Sequence, residues 1–231
     1  MLKFHYCLWV VFHTHKFYMF SLLESSGYPN YTIQADVIDI NADTPRSSDI
    51  FLVDSNVWFW LTYQTASHSA AKYQLSDYPN YVKKSLTVGS KICSSGLSLA
   101  ELGHRIEKTE YDIYSKINVS EIQTKEYRHN LPAERSRIVS QVEAAWGQVK
   151  TLAQPLDLTI DDPTTDAALL RFKTKKLDGY DLFILESMKT CGVVQIITDD
   201  GDFSTVPGIQ VFTANRNVIN AARIQRKLLS R

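Results

Sequence analysis

Asp54, Glu101, Asp181 and Asp200 are the residues of this chain whose type and placement could do chemistry. Asp54 closes the apolar run Ile50-Phe51-Leu52-Val53, and Asp200 follows the run Val193-Val194-Gln195-Ile196-Ile197-Thr198. Glu101 and Asp181 each open a segment with helical periodicity. Short, nearly continuous apolar runs rich in Val and Ile read as strands of a parallel sheet covered on both faces. Ligands of such sheets bind beyond the carboxyl ends of the strands. Carboxylates gathered there repel one another, and a hard divalent cation with oxygen ligands is the usual relief. The predicted chemistry is metal-dependent hydrolysis. Asp54, Glu101, Asp181 and Asp200 are its catalytic candidates, and Asp54, Asp181, Asp200 and Asp202 its metal ligands.

Each carboxylate also has a local explanation. Asp54 begins Asp-Ser-Asn-Val, a good helix N-cap. Glu101 completes Ser98-Leu-Ala-Glu101, which fits a capping box, and on local grounds that reading is preferred. Asp181 enters a very apolar helix, where it would cap and complement the dipole. Asp199, Asp200 and Asp202 crowd Gly201 in what could be a solvated turn; the order required of an EF-hand loop is missing. Independent caps, however, have no reason to fall at four corresponding edges of one sheet. Thr198 and Ser55 could orient a ligand or a water from behind, with local capping the competing role.

The elements that must position these groups follow from periodicity and punctuation. Tyr31 to Ile40 alternates in part and suggests an edge strand, followed by turn-rich Asn41 to Ser48. Val57 to Gln64 continues from Asp54 as an aromatic helix. Ala70 to Leu86 reads as two helical pieces split at Pro79. Lys91 to Ser94 is a short strand and Leu99 to Lys108 a helix. Glu121 to Leu152 is helical, broken near Pro132, with Ile138, Val142, Ala145, Trp146 and Val149 at helical spacing. Leu156 to Ile160 is a weak strand and Thr164 to Phe172 a short helix. Asp181 to Thr190 is a helix ended by Gly192. A strand at Ile209 to Phe212 and a helix from Val218 to Leu229 complete the chain. Alternating strands and helices predict an α/β fold, a three-layer α/β/α sandwich around a mostly parallel sheet.

Composition narrows the class without naming it. The 231 residues suffice for one well-buried domain with an appendage. Lys+Arg and Asp+Glu balance at 25 each, so contact with phosphates must come from a local basic patch. Cys7, Cys93 and Cys191 are odd in number and widely spaced, as expected of reduced thiols in a cytoplasmic protein. Residues 1–30 read as an extension, poorly ordered or appended, with translation starting upstream of a natural start such as Met19. Its apolar run from Tyr6 to Phe12 falls well short of the ~20 residues that span a bilayer, so no membrane role is expected. His13 and His15 lack metal-binding partners nearby.

Four segments taken together resemble the PIN domain, a metal-dependent ribonuclease fold found in many toxin–antitoxin toxins. They are Phe-Leu-Val-Asp54-Ser-Asn-Val, Leu-Ser-Leu-Ala-Glu101-Leu, Gly-Tyr-Asp181-Leu-Phe-Ile-Leu-Glu and Ile-Ile-Thr198-Asp-Asp200-Gly-Asp202-Phe, in the family's order. The last fits the family's Thr-x-Asp-x-Asp-Phe pattern, aligning Asp200 and Asp202 with its acidic positions and Asp199 with a variable one. The resemblance implies a PIN-like nuclease domain over 31–231 with a helical insertion around 110–155. It also implies Mg²⁺ or Mn²⁺ at the acidic cluster, cleavage of single-stranded RNA, an antitoxin-like protein partner and a homodimer.

For the substrate, Arg171, Lys173, Lys175 and Lys176 surround Phe172 just upstream of Asp181 and could grip a phosphate backbone. The competing reading is a solvated helix end. His104 and Arg105, near Glu101, are further substrate candidates. A different class of function stays open, a non-catalytic PIN-like module that binds RNA or a protein; the intact acidic set argues against it. A phosphatase using Asp54 as nucleophile would want an Asp-x-Asp that Asp-Ser-Asn does not supply.

Overall fold

Alternation along the central strand decides how the layers form. In the computed structural model, which describes residues 30–118 and 122–231, β2 (Ile50–Val53) sends Phe51 and Val53 to one side of the sheet and Leu52 to the other. Successive side chains of a strand point to opposite faces, so an unbroken apolar run needs cover on both. On the first side lie α1 (Ser55–Thr62), α2 (Lys72–Thr87), α3 (Ser98–Asn118) and α5 (Pro132–Leu152), contributing Trp58, Tyr78, Leu102 and Val149 to the core. On the second lie α6 (Asp162–Thr174) and α7 (Gly179–Thr190), with Ala168, Ile184, Leu185 and Met188 against Leu52 and Ile196. The short α4 (Thr124–Asn130) precedes α5, whose first residue, Pro132, is a natural helix start. The three-layer sandwich is as expected.

Seven strands form one sheet in the order β4-β3-β2-β5-β6-β1-β7, every pairing parallel. The others are β1 (Asp36–Asp39), β3 (Lys91–Ser95), β4 (Gln154–Leu156), β5 (Gln195–Ile197), β6 (Gln210–Thr213) and β7 (Leu228–Leu229), with α8 (Arg216–Ile224) before the last. From β2 the chain winds outward through β3 and β4, then returns to β5 on the opposite side of β2. The reversal leaves a crevice at the carboxyl ends of β2 and β5, the switch point where open α/β sheets bind ligands. Among the described residues no helix is long and apolar enough to cross a membrane, and Cys93 and Cys191 are free thiols. The extension, with Cys7, His13, His15 and Met19, lies outside the described residues.

Several expectations need correction. The segment from Tyr31 gives a strand only at Asp36–Asp39, and it is not at the edge, because β7 pairs outside it. The expected helix to Leu229 ends at Ile224: Arg226 adopts φ 57°, and Lys227 returns its N–H to the Ala222 carbonyl at 2.8 Å. No Gly marks that stop, which is why local signals miss it. The weak strand expected at 156–160 forms earlier, as β4 at the sheet edge, where Pro155 is tolerated. Pro79 does not split α2. The helix is clamped from outside by buried Tyr78 and Tyr81, and these contacts offset the missing backbone donor.

Tyr78 is the firmest of these clamps. Its hydroxyl donates to Asp199 Oδ1 at 2.6 Å and accepts the Ala214 N–H at 2.9 Å, tying α2 to the ends of β5 and β6. Tyr78→Phe keeps the ring packing but leaves a buried N–H unpaired, and is expected to cost ~1–3 kcal/mol, read as a lower urea midpoint at unchanged slope.

Candidate metal centre

Asp54 leaves β2 at the point where the strand becomes α1. It is both the N-cap of that helix and a member of the acidic cluster, so the two roles weighed for it coexist. Its backbone N–H still reaches the Ile197 carbonyl of β5 at 3.1 Å. Oδ1 accepts the Ser55 N–H at 2.6 Å, while Oδ2 accepts from Asn56 Nδ2 and Thr198 Oγ1, each at 2.6 Å. The Ser55 hydroxyl adds a longer bond to Oδ1 at 3.3 Å, so the donors that hold Asp54 come from the start of its own helix and from Thr198. Thr198, wholly buried, also accepts the Asp200 N–H at 2.9 Å, so one hydroxyl links both strand ends.

Glu101 lies on the first turn of α3, Asp181 on the first turn of α7. Carboxylate oxygens of Asp54, Glu101 and Asp181 lie within 4.8 Å of one another. The capping box expected at Ser98 is not made: Ser98 Oγ is buried without a hydrogen-bond partner, and so is Glu101 Oε2. Glu101 faces the cluster instead of the backbone. Asp200 lines the same open cleft of about 520 Å³, its Oδ1 accepting the Asp202 N–H at 2.8 Å. Asp202 begins a short 3-10 turn and stands outside the close trio. Asp199 turns away toward α2, held by Tyr73, Gln74 and Tyr78.

One group went unnoticed in the sequence. Asp178, the N-cap of α7, lines the cleft and makes no capping bond with its side chain. The signal was present: Asp178 and Asp181 are three apart, which places them on one helix face. The basic segment is dispersed rather than gathered. Arg171 pairs with Glu186 of α7, and Lys175 Nζ lies 3.3 Å from Gln34 Oε1, while Lys173 and Lys176 are exposed. His104 and Arg105 line the cleft itself.

Burial raises the carboxyls of Asp54, Glu101, Asp181, Asp200 and Asp202. It pushes Asp54 up to about 7, with the charges of Asp200 and Glu101 adding to it. Burial likewise pushes Asp181 up to about 9, helped by Asp54, Asp200, Asp178 and Glu101. Glu101, Asp200 and Asp202 rise for the same first reason. An all-oxygen donor set, a surplus of buried negative charge and the unpartnered Glu101 Oε2 together fit a hard divalent cation.

Two outcomes are expected from this geometry. Carboxyls raised above their unfolded values stabilise the fold fully below pH ~4 and lose that contribution as pH rises through about 7 and about 9. Without divalent cation, the melting temperature should therefore fall between pH 5 and 9 by at least ~3 °C, the equivalent of ~1 kcal/mol at this size, and Mn²⁺ should restore it. Thr198→Val removes the hydroxyl behind Asp54 and should weaken Mn²⁺ binding about 10-fold or more by calorimetry, with little loss of secondary structure.

A family model described as PIN domain matches residues 51–209, more than two thirds of the chain. No curated protein and no solved structure matches it. The match begins in β2 and runs to the residue before β6, so it includes Asp54, Glu101, Asp181 and Asp200. The chain belongs to the PIN domain family.

Proposed function

We propose that this protein is a divalent-metal-dependent endoribonuclease that hydrolyses phosphodiester bonds of single-stranded RNA, acting as the toxin of a toxin–antitoxin pair. One observation carries the hydrolytic reading. Three carboxylates from three separate elements meet at the switch point of a parallel sheet, with one buried carboxylate oxygen left without a partner. PIN domains as a family are metal-dependent nucleases, which supports the same reaction class. RNA as the substrate, the toxin role and an antitoxin-like partner rest on family resemblance alone.

Asp54, Glu101 and Asp181 would hold a Mg²⁺ or Mn²⁺ ion, with Asp200 and Asp202 completing the site directly or through water. An ion bound there would supply a water of lowered pKa and would offset charge on the phosphodiester oxygens. The chain's own residues supply position. Ser55, Asn56 and Thr198 hold Asp54 in one orientation, so its carboxylate meets the cluster without reorganisation. Thr198 and Asp202 hold Asp200 through the two backbone bonds around it.

Labelled single-stranded RNA incubated with the protein should be cut in Mn²⁺ or Mg²⁺ and left intact in chelator. Asp54→Asn, Glu101→Gln and Asp200→Asn should each lower kcat about 100-fold or more, as expected when a group serving transition-state charge is removed. A folded wild type that binds RNA or a protein but cleaves nothing in either metal would instead be a non-catalytic binding module.

A further inference from the structure

The cleft that holds the carboxylates is a hostile place for a polyanion. Asp54, Glu101, Asp178, Asp181 and Asp200 all line it, and the guanidinium of Arg105 is the one Lys or Arg group among its lining residues. A single divalent ion leaves the pocket negative, so an approaching phosphodiester needs an attractive contact from the protein. Arg105 is built to make one. It follows Glu101 by four residues on α3, so it stands one turn further along the same helix face, with its Cβ about 6 Å away. Its guanidinium lies 5.5 Å over the Phe59 ring, which orients the fork while leaving its N–H donors free. Among the described residues Arg105 forms no ion pair, unlike Arg128, Arg135, Arg137, Arg171 and Arg231.

The opposite wall carries the second contact. Tyr180 on α7 lines the cleft beside Asp181 and keeps 47% of its surface exposed. An exposed ring next to a phosphate site is a stacking platform for an unpaired base. A base within a duplex is already stacked on its neighbours and presents only its edges to the grooves.

Resting on the nuclease reading above, we infer that Arg105 and Tyr180 are the substrate-binding pair of this cleft. Arg105 grips a phosphate next to the one being cut, and Tyr180 stacks the neighbouring base, which makes the site selective for single strands. Neither residue performs the hydrolysis; both hold the strand across the carboxylates.

The test is steady-state cleavage of a short fluorescein-labelled single-stranded RNA, and of the same strand in a duplex, in the metal that supports wild-type activity. Arg105→Gln should raise KM about 10-fold with kcat changed less than about threefold, and Arg105→Lys should recover only part of it. Tyr180→Phe should match wild type, whereas Tyr180→Leu should raise KM about 5-fold or more and erode the preference for single strand over duplex. Circular dichroism and melting temperature confirm that each variant is folded. If wild type cleaves and the folded variants keep its KM and strand preference, this inference is wrong and the nuclease reading stands. A loss confined to kcat also overturns it, because that points to disturbed carboxylates rather than lost strand binding. If wild type cleaves neither RNA in any divalent metal, both readings fall together.

Discussion

The register of β2 against β5 pairs Leu52 with Ile196 and Val53 with Ile197, and so delivers Asp54 and Thr198 side by side as the chain leaves the sheet. The hydroxyl of Thr198 then donates to Asp54 and accepts from the amide of Asp200, joining two segments 144 residues apart. A slip of one residue would turn Phe51 and Val53 out of the layer that holds Trp58 and Tyr78, and Leu52 into it. Core packing forbids the slip, and the geometry of the acidic edge is a by-product of that prohibition. Hydrophobic side chains therefore set the distances on which the chemistry depends.

The same arrangement works against the fold. Five carboxylates share a cleft in which burial alone raises several of them, and no Lys or Arg among the described residues forms an ion pair with the close trio. Elsewhere the chain treats buried acids differently. Glu107 meets Arg128 at 2.7 Å, Glu110 is paired with Arg137, and Asp43 and Asp49 share the fork of Arg231, which stacks over Phe212. The contrast is informative because Asp54 and Asp181 are as little exposed as Asp43, Asp49, Glu107 and Glu110. Where the charge is structural it is neutralised within the chain; at the sheet's carboxyl edge it is left for something from outside. Sites that break the local rule of pairing buried charge are where function concentrates.

The helices on the first side show how tertiary contacts overrule local preference. Pro79 predicts a break in α2, yet Tyr78 and Tyr81 anchor the turns on either side of it, and Tyr78 reaches Asp199 at the end of β5. Ser98 and Glu101 have the spacing of a capping box, and neither makes the bond. In the first case the local signal lost to a partner distant in sequence; in the second Ser98 Oγ and Glu101 Oε2 are left without hydrogen-bond partners. Arg226 is a third case: a left-handed residue with no glycine to announce it, imposed by the return of Lys227 to pair with Val37.

Apolar runs, punctuation and the position of acids beside them were enough to place Asp54, Glu101, Asp181 and Asp200 near one edge of a parallel sheet. This works because strand direction and side-chain alternation are local properties, and acids that end a run or open a helix declare themselves in one dimension. Tertiary structure alone decided which acids face one another. Of the three neighbours Asp199, Asp200 and Asp202, one turns to the tyrosines of α2, one lines the cleft and one donates its amide to that cleft-lining neighbour. Asp178 joins the cleft because α7 begins there, and Arg171 is withdrawn from the surface by Glu186. Those assignments depend on the directions of side chains from separate elements, and a linear pattern carries no information about such angles until the layers have packed.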